Sequence, residues 1–243
     1  MKVEIWSDVV CPWCHIGKRR FETALGQFAQ REEVEVEWKS FELDPGAESV
    51  TDSTSGDDSA DDTDYRDRLA RKYGTTPDSA QQMLDSMTAA AAAEGLDFHF
   101  ERARASNTFD AHQVIHLAGE RGVQDAVKER LLRAYFSEGE AVGDRGVLAR
   151  LAAEAGLDAA EVSQALDEQW YAAAVRADEQ EAVSLGASGV PFFVIDRRYG
   201  VSGAQPAEQF LQVLQQAWAE RNPLTMVGAS PDGDVCGPDG CST

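Results

Sequence analysis

The chain is poor in positive charge. Its 243 residues carry 22 basic side chains against 43 acidic ones, a formal net charge of −21 at pH 7. Only five of the basic residues are lysine: Lys2, Lys18, Lys39, Lys72 and Lys128. Such a surface repels phosphate and anionic lipid, which argues against nucleic acid and membrane as partners. An acidic, lysine-poor surface stays hydrated where salt screens its charges, so a halophilic source is expected, with a GC-rich genome as the competing explanation. No apolar run approaches the length of a membrane-crossing helix. No apolar signal region follows Met1-Lys2, and a cytoplasmic setting is expected. There are four cysteines; in a reducing compartment a disulfide between them should form transiently rather than persist.

Two of those cysteines stand close together, in Cys11-Pro12-Trp13-Cys14. The segment before them, Val3 to Asp8, alternates like a half-buried strand, and Ile16, Phe21, Leu25 and Phe28 after them recur at near-helical spacing. A cysteine pair at a strand-to-helix junction suits redox chemistry. The unpaired amides and dipole of the helix start favour a thiolate on Cys11, the attacking species. Pro12 suits a first helical turn. Cys14 is spaced to reach back and resolve a mixed disulfide. Far downstream, Ser188-Gly189-Val190-Pro191 precedes the apolar, β-rich run Phe192 to Ile195. The loop before Pro191 offers backbone groups to an extended peptide.

These segments, together with Trp38 to Pro45, Asn107 to His112 and Ser202 to Pro206, resemble in order the FrnE-like branch of the DsbA family of thiol-disulfide oxidoreductases. The resemblance implies an α/β thioredoxin fold interrupted by a helical insertion. It implies Cys11 as nucleophile, Cys14 as resolving thiol, and a cis Val190-Pro191 bond facing them. Val190, Pro191, Trp13, Asn107 and His112 are the substrate-binding candidates. It also implies an accessory disulfide between Cys236 and Cys241, whose intervening Gly237, Pro238 and Gly240 allow a turn. The partners implied are protein or small-molecule thiols and disulfides, with glutathione and thioredoxin as candidates; no cofactor or metal is expected. The same superfamily includes glutathione-dependent 2-hydroxychromene-2-carboxylate isomerases and kappa-class transferases. These usually carry serine where this chain has Cys11, and they remain the alternative function.

The expected organisation is a discontinuous thioredoxin-like domain over 1–63 and 187–222, a helical domain over 64–186, and a tail over 223–243. Val34 to Trp38 reads as a second strand, Tyr199 to Ser202 as a later one after an Arg197-Arg198 turn, and Pro206 to Trp218 as a closing helix. Thr76-Pro77 starts a helix that Gly95 ends, and Ala165 to Gly186 reads as one long helical stretch. The acidic segment from Ser49 to Asp64 lacks EF-hand spacing and reads as a solvated loop.

Several motifs have competing readings. Cys-x-x-Cys-His, ending at His15, is also a haem-attachment signature, disfavoured in a chain without an export signal. Cys11, Cys14, Cys236 and Cys241 would make a four-thiolate zinc set, which leaves a non-enzymatic zinc module as a second alternative. His15 is either an exposed first-turn residue or a group that tunes the thiolate. His112 and His116 share a helix face without a metalloprotease motif, and Met83 and Met87 read as core.

Overall fold

The computed structural model of the protein describes residues 1–49 and 64–221, together with the backbone of 236–237 and 240–241. Strand β1 (Lys2–Ser7), helix α1 (Pro12–Gln27) and strand β2 (Glu35–Ser40) come first. Helices α2 (Tyr65–Tyr73), α3 (Pro77–Ala93), α4 (Phe109–Glu120), α5 (Gln124–Arg133), α6 (Arg145–Glu154), α7 (Ala159–Asp167) and α8 (Ala172–Ser184) follow. The chain then returns to the sheet with β3 (Phe192–Ile195) and β4 (Tyr199–Ser202), and α9 (Ala207–Arg221) closes it.

The sheet has the order β2-β1-β3-β4. β1 and β2 are parallel, with Ile5 beside Trp38; β3 runs antiparallel to both β1 and β4, with Phe193 between Ile5 and Val201. Strand alternation sends successive side chains to opposite faces. Val3, Ile5, Phe193 and Ile195 thus join one core with α1 and α9, where Phe193 meets Phe210 at 4.5 Å and Phe21 at 5.6 Å. Trp6, Phe192 and Val194 form a second core under Ala182 of α8. The sheet is therefore covered on both faces, as its apolar strand β3 requires.

Side chains from the helical layer hold the edge of β2. The Gln124 carboxamide accepts from the Trp38 amide at 2.9 Å and donates to its carbonyl at 3.0 Å. Asp178 accepts from the Ser40 amide at 2.9 Å. The helical elements are thereby fixed to the strand that follows α1.

The Thr76 side chain caps α3, accepting from the Ser79 amide at 3.2 Å, and Gly95 follows its end at a φ of 74°. One expected element is corrected. The stretch from Ala165 to Gly186 is two helices, because Gln169 adopts a φ of 53° and breaks the run between α7 and α8. The β3–β4 turn spans Asp196 to Arg198, with Asp196 and Arg197 at positive φ. Asp196 Oδ1 holds it by accepting from the Lys2 amide at 2.7 Å. The acidic loop expected over Ser49 to Asp64 lies outside the described residues except at its ends. The backbone of Cys236–Gly237 pairs antiparallel with Gly240–Cys241, Cys236 opposite Cys241; the side chains of both cysteines lie outside the described residues.

Candidate active site

Cys11 is the N-cap of α1, in extended conformation with φ −94° and ψ 114°, and Pro12 begins the helix. The Cys11 carbonyl accepts from the Cys14 amide at 3.0 Å, so the Cys14 side chain lies one turn behind. Both thiols are free. Cys11 is 4% exposed and Cys14 1%. The Val190-Pro191 bond is cis, and the Cys11 thiol approaches the Val190 carbonyl at 3.6 Å. Gly17 makes this approach possible: a Cβ there would meet Pro191 Cγ at 3.0 Å and Ala204 Cβ at 3.4 Å. The Gly203 amide donates to the Pro191 carbonyl at 2.8 Å and anchors the loop from the other side.

Cys11, but not Cys14, opens on a cavity of about 810 Å³. Trp13, Val190, Tyr65, Tyr73, Met83 and Tyr135 supply much of its apolar wall, and Arg68, Arg71 and Lys72 of α2 add cations. Trp13 is 38% exposed at this opening. Met83 and Met87 both line it; Met87 is also buried in the core, as expected, and Met83 is exposed. Tyr135 stands on a π-helical turn over Ala134–Glu138. Burial pushes its phenol up to about 12 against the pull of Arg68, and burial also raises Tyr65 well above the usual tyrosine range. Both phenols stay protonated and able to donate hydrogen bonds.

The side behind the cysteines is polar and closed. Asp8, Ser7, His112 and Lys128 are all buried there. Asp8 Oδ2 accepts from the Leu43 amide at 2.7 Å, and Oδ1 faces His112 Nε2 at 3.5 Å. Burial alone would raise the Asp8 carboxyl, but the His112 contact and the Leu43 amide outweigh it and hold it below the usual range. Lys128 Nζ donates to the Ser7 carbonyl at 3.3 Å and lies over the Trp38 ring at 5.6 Å. Burial drives its ammonium down to about 8.

The two thiols ionise as a pair. The hydrogen bond Cys11 gives to Cys14, followed by burial, raises Cys11 well above an ordinary thiol. Burial would raise Cys14 too, but the Cys11 hydrogen bond, the Lys128 ammonium and the Ser7 hydroxyl outweigh it and lower this thiol. The Cys14 amide favours negative charge on Cys11, as a helix start does, and the Cys11 hydrogen bond and the Lys128 ammonium favour it on Cys14.

Other candidates lie away from the cavity. His112 is fully buried against Asp8 and takes no part in the cavity wall. Asn107 organises the wall instead of lining it: its carboxamide accepts from the Phe109 amide at 3.0 Å and donates to the Pro45 carbonyl at 3.2 Å. His15 is buried, not exposed. Its ring lies 5.6 Å from Phe98 and faces Glu129 at 3.5 Å, and burial, only partly opposed by Glu129, lowers its pKa. His116 bonds Ser40 at 3.1 Å and Asp178 at 3.0 Å through one ring nitrogen, a clamp between α4, β2 and α8. Among the described residues no cluster could hold a metal ion, and no helix is long and apolar enough to cross a membrane. Sequence reasoning passed over Lys128, Gly17, Tyr65, Arg68 and Tyr135, and quoted Asp8 without a role. For Lys128 a signal existed, since it interrupts the buried stripe Val127, Leu131 and Leu132 of α5.

The family pattern of a DSBA-like thioredoxin domain matches residues 2–215. The chain belongs to that family. A probable DsbA oxidoreductase from Streptomyces coelicolor is 48% identical, with 100% of this chain and 99% of that one covered and a TM-score of 0.81. YwbO of Bacillus subtilis is 28% identical over 195 residues, 79% of this chain and 86% of its own length. The cytosolic disulfide reductase DsbM of Pseudomonas aeruginosa, solved with GSH, shares the fold at 18% identity. Its TM-score is 0.61, with 90% of this chain and 99% of that one covered.

Proposed function

We propose that the protein is a cytoplasmic thiol-disulfide oxidoreductase working through Cys11 and Cys14. The observation that carries the reading is the asymmetry of the pair: Cys11 opens on the cavity beside the Val190 carbonyl, and Cys14 is sealed behind it. As a thiolate, Cys11 attacks a substrate disulfide. One S–S bond forms to Cys11, the substrate bond breaks, and the first half leaves as a thiolate. Cys14 then attacks Cys11, and the second half leaves while the Cys11–Cys14 disulfide forms. Run backwards, the same steps oxidise substrate thiols.

Val190 and Trp13 frame the attacking sulfur. Tyr65 and Tyr135 line the same cavity, and as protonated phenols they would donate to a sulfur or carboxylate of the substrate. The cations of α2 favour an anionic partner such as glutathione or an acidic peptide, against the negative charge of the whole chain. An isomerase of the glutathione-dependent type has less support, because a serine at position 11 would suffice to orient a bound thiolate. The Cys236–Cys241 disulfide belongs to the same reading as an accessory pair, and peptide mapping of oxidised protein tests it. Equilibration with glutathione redox buffers, read by thiol labelling, together with insulin reduction, tests the main proposal. A reversible Cys11–Cys14 couple with turnover is expected; a pair that does not oxidise would refute it.

A further inference from the structure

The segment Ser202 to Pro206 stands out in the sequence, yet none of it lines the cavity. It lies behind the loop that carries Val190. The Gly203 amide donates to the Pro191 carbonyl at 2.8 Å, with Gly203 at a φ of 80°. The next residue, Ala204, packs on α1 at Gly17, the same point that receives Pro191. The two loops are thus seated side by side on one face of the helix that Cys11 caps.

Arg20 stands one turn further along that face. Its Nη1 donates to the Ala204 carbonyl at 2.7 Å, and its Nε donates to Glu94 Oε1 at 2.7 Å. Glu94 closes α3. The Gly95 and Leu96 amides turn back to the Ala92 and Ala91 carbonyls at 3.0 and 2.9 Å, which fixes this helix end. A cation here also meets the negative end of the α3 dipole. α3 carries Met83 and Met87 of the cavity wall. Arg20 therefore joins three parts of the molecule that border the cavity elsewhere: α1, α3 and the paired loops. A guanidinium holds two acceptors at once from one rigid plane, which an ammonium on a flexible stem does not.

We propose that Arg20 is a positioning residue, which holds the Ser202–Pro206 loop and α3 in fixed relation to α1 and so sets the Val190 carbonyl against the Cys11 thiol. The proposal rests on the reading of Cys11 as the attacking sulfur. The path is contiguous. Arg20 fixes Ala204, Ala204 and Gly203 back Pro191, and Pro191 follows the Val190 carbonyl that the Cys11 thiol approaches at 3.6 Å. The Glu94 arm fixes where the methionine wall stands relative to that loop. An extended peptide that pairs with the loop meets the sulfur in line only while this spacing holds. Misplacement by about 1 Å costs about a hundredfold in a well-oriented reaction. Arg20 itself does not line the cavity, so it acts through the loop alone.

The test separates loop position from thiol reactivity. Two rates are measured on the reduced full-length chain, each mapped to Cys11. One is exchange with a short peptide whose single cysteine carries a thionitrobenzoate leaving group. The other is alkylation by iodoacetamide, which needs an accessible thiolate but no docked backbone. Arg20→Met keeps the stem and removes both donors. It should slow peptide exchange at least about tenfold and leave alkylation within about twofold. Gly17→Ala disturbs the same loop, so the double variant should be nearly as slow as the slower single variant, not slower by the product of the two. Glu94→Gln still accepts from Nε and should match the wild type, while Glu94→Ala should lose about threefold or more in exchange alone. If Arg20→Met fails to fold, the two Glu94 variants decide, and equal exchange rates in both would overturn the proposal. Unchanged exchange in Arg20→Met, a proportional loss of both rates, or effects that multiply with Gly17→Ala would also overturn it. A wild type that alkylates at Cys11 but exchanges with no disulfide would instead overturn the functional reading, and this proposal with it.

Discussion

The two sides of the Cys11–Cys14 turn are built from opposite materials. The outer side is a broad cavity walled by Trp13, Tyr65, Tyr73 and Met83, with the cations of α2 at its edge. The inner side is a closed cluster of Ser7, Asp8, His112 and Lys128. Only Pro12 and Trp13 lie between the two cysteines that face these environments. The contrast teaches that reach and charge lie in different places: under the proposed function the outer side would select which molecule meets Cys11, and the inner side would set when sulfur is ionised. A single solvated cysteine pair could not have both properties, because water would level the charges of the inner cluster.

Removing the sulfurs one at a time should break this division most sharply. Cys11→Ser is expected to abolish disulfide reduction. Cys14→Ser should instead accumulate mixed disulfides with partners, visible on non-reducing gels and by mass spectrometry. Trapping by Cys11→Ser rather than by Cys14→Ser would reverse the two sides.

Gly17→Ala should misalign the outer side alone. The new methyl would meet Pro191 Cγ at 3.0 Å, and the loop carrying Val190 must give way. Crowding of this kind costs about 1–3 kcal/mol, offset by about 1 kcal/mol of helix propensity gained over glycine. The expected result is slower exchange at Cys11 with the thiol titration of the pair nearly unchanged.

Asp8→Asn should act on the inner side and on stability. The Asp8 carboxyl is held below its unfolded value, so its contribution is present above the unfolded pKa of about 3.9 and is lost as pH falls through the folded value. Denaturant melts of the wild type should weaken below about pH 4, and those of Asp8→Asn should weaken less over that window. Near pH 7 the variant should be the less stable by about 1–3 kcal/mol, since the buried groups around Asp8 lose a charged partner.

The strand–turn–helix around Cys11, the cis Val190-Pro191 bond and the split of the sheet around the helices were legible in the sequence. The strand–turn–helix and the split of the sheet rest on local chemistry, alternation and a spacing of two cysteines, and the cis bond was implied by the family resemblance. Lys128 and Tyr135 were not legible as site residues, because they reach the pair across more than a hundred positions and only packing brings them there. His15 and His112 were misplaced for the related reason that helical spacing gives a face but not what covers it. The break at Gln169 escaped because no glycine or proline marks it.

The smallest expected effect concerns salt, and it separates the two sides once more. Screening shortens the reach of exposed charges but acts weakly on buried ones. With a net charge of −21, the melting temperature should rise by a few degrees as potassium chloride approaches molar levels, while the ionisation of the cysteine pair stays nearly constant. A flat or falling melting temperature would favour base composition as the origin of the acidic surface.

The Gln124 carboxamide at the margin of β2 imitates the backbone of a missing neighbour, giving and taking one hydrogen bond at Trp38 as an adjoining strand would. Sheet margins with unused amides invite other molecules to stack on and propagate. Here that invitation is withdrawn by a side chain, so the molecule can keep a short, strongly apolar sheet at high concentration without polymerising through this border.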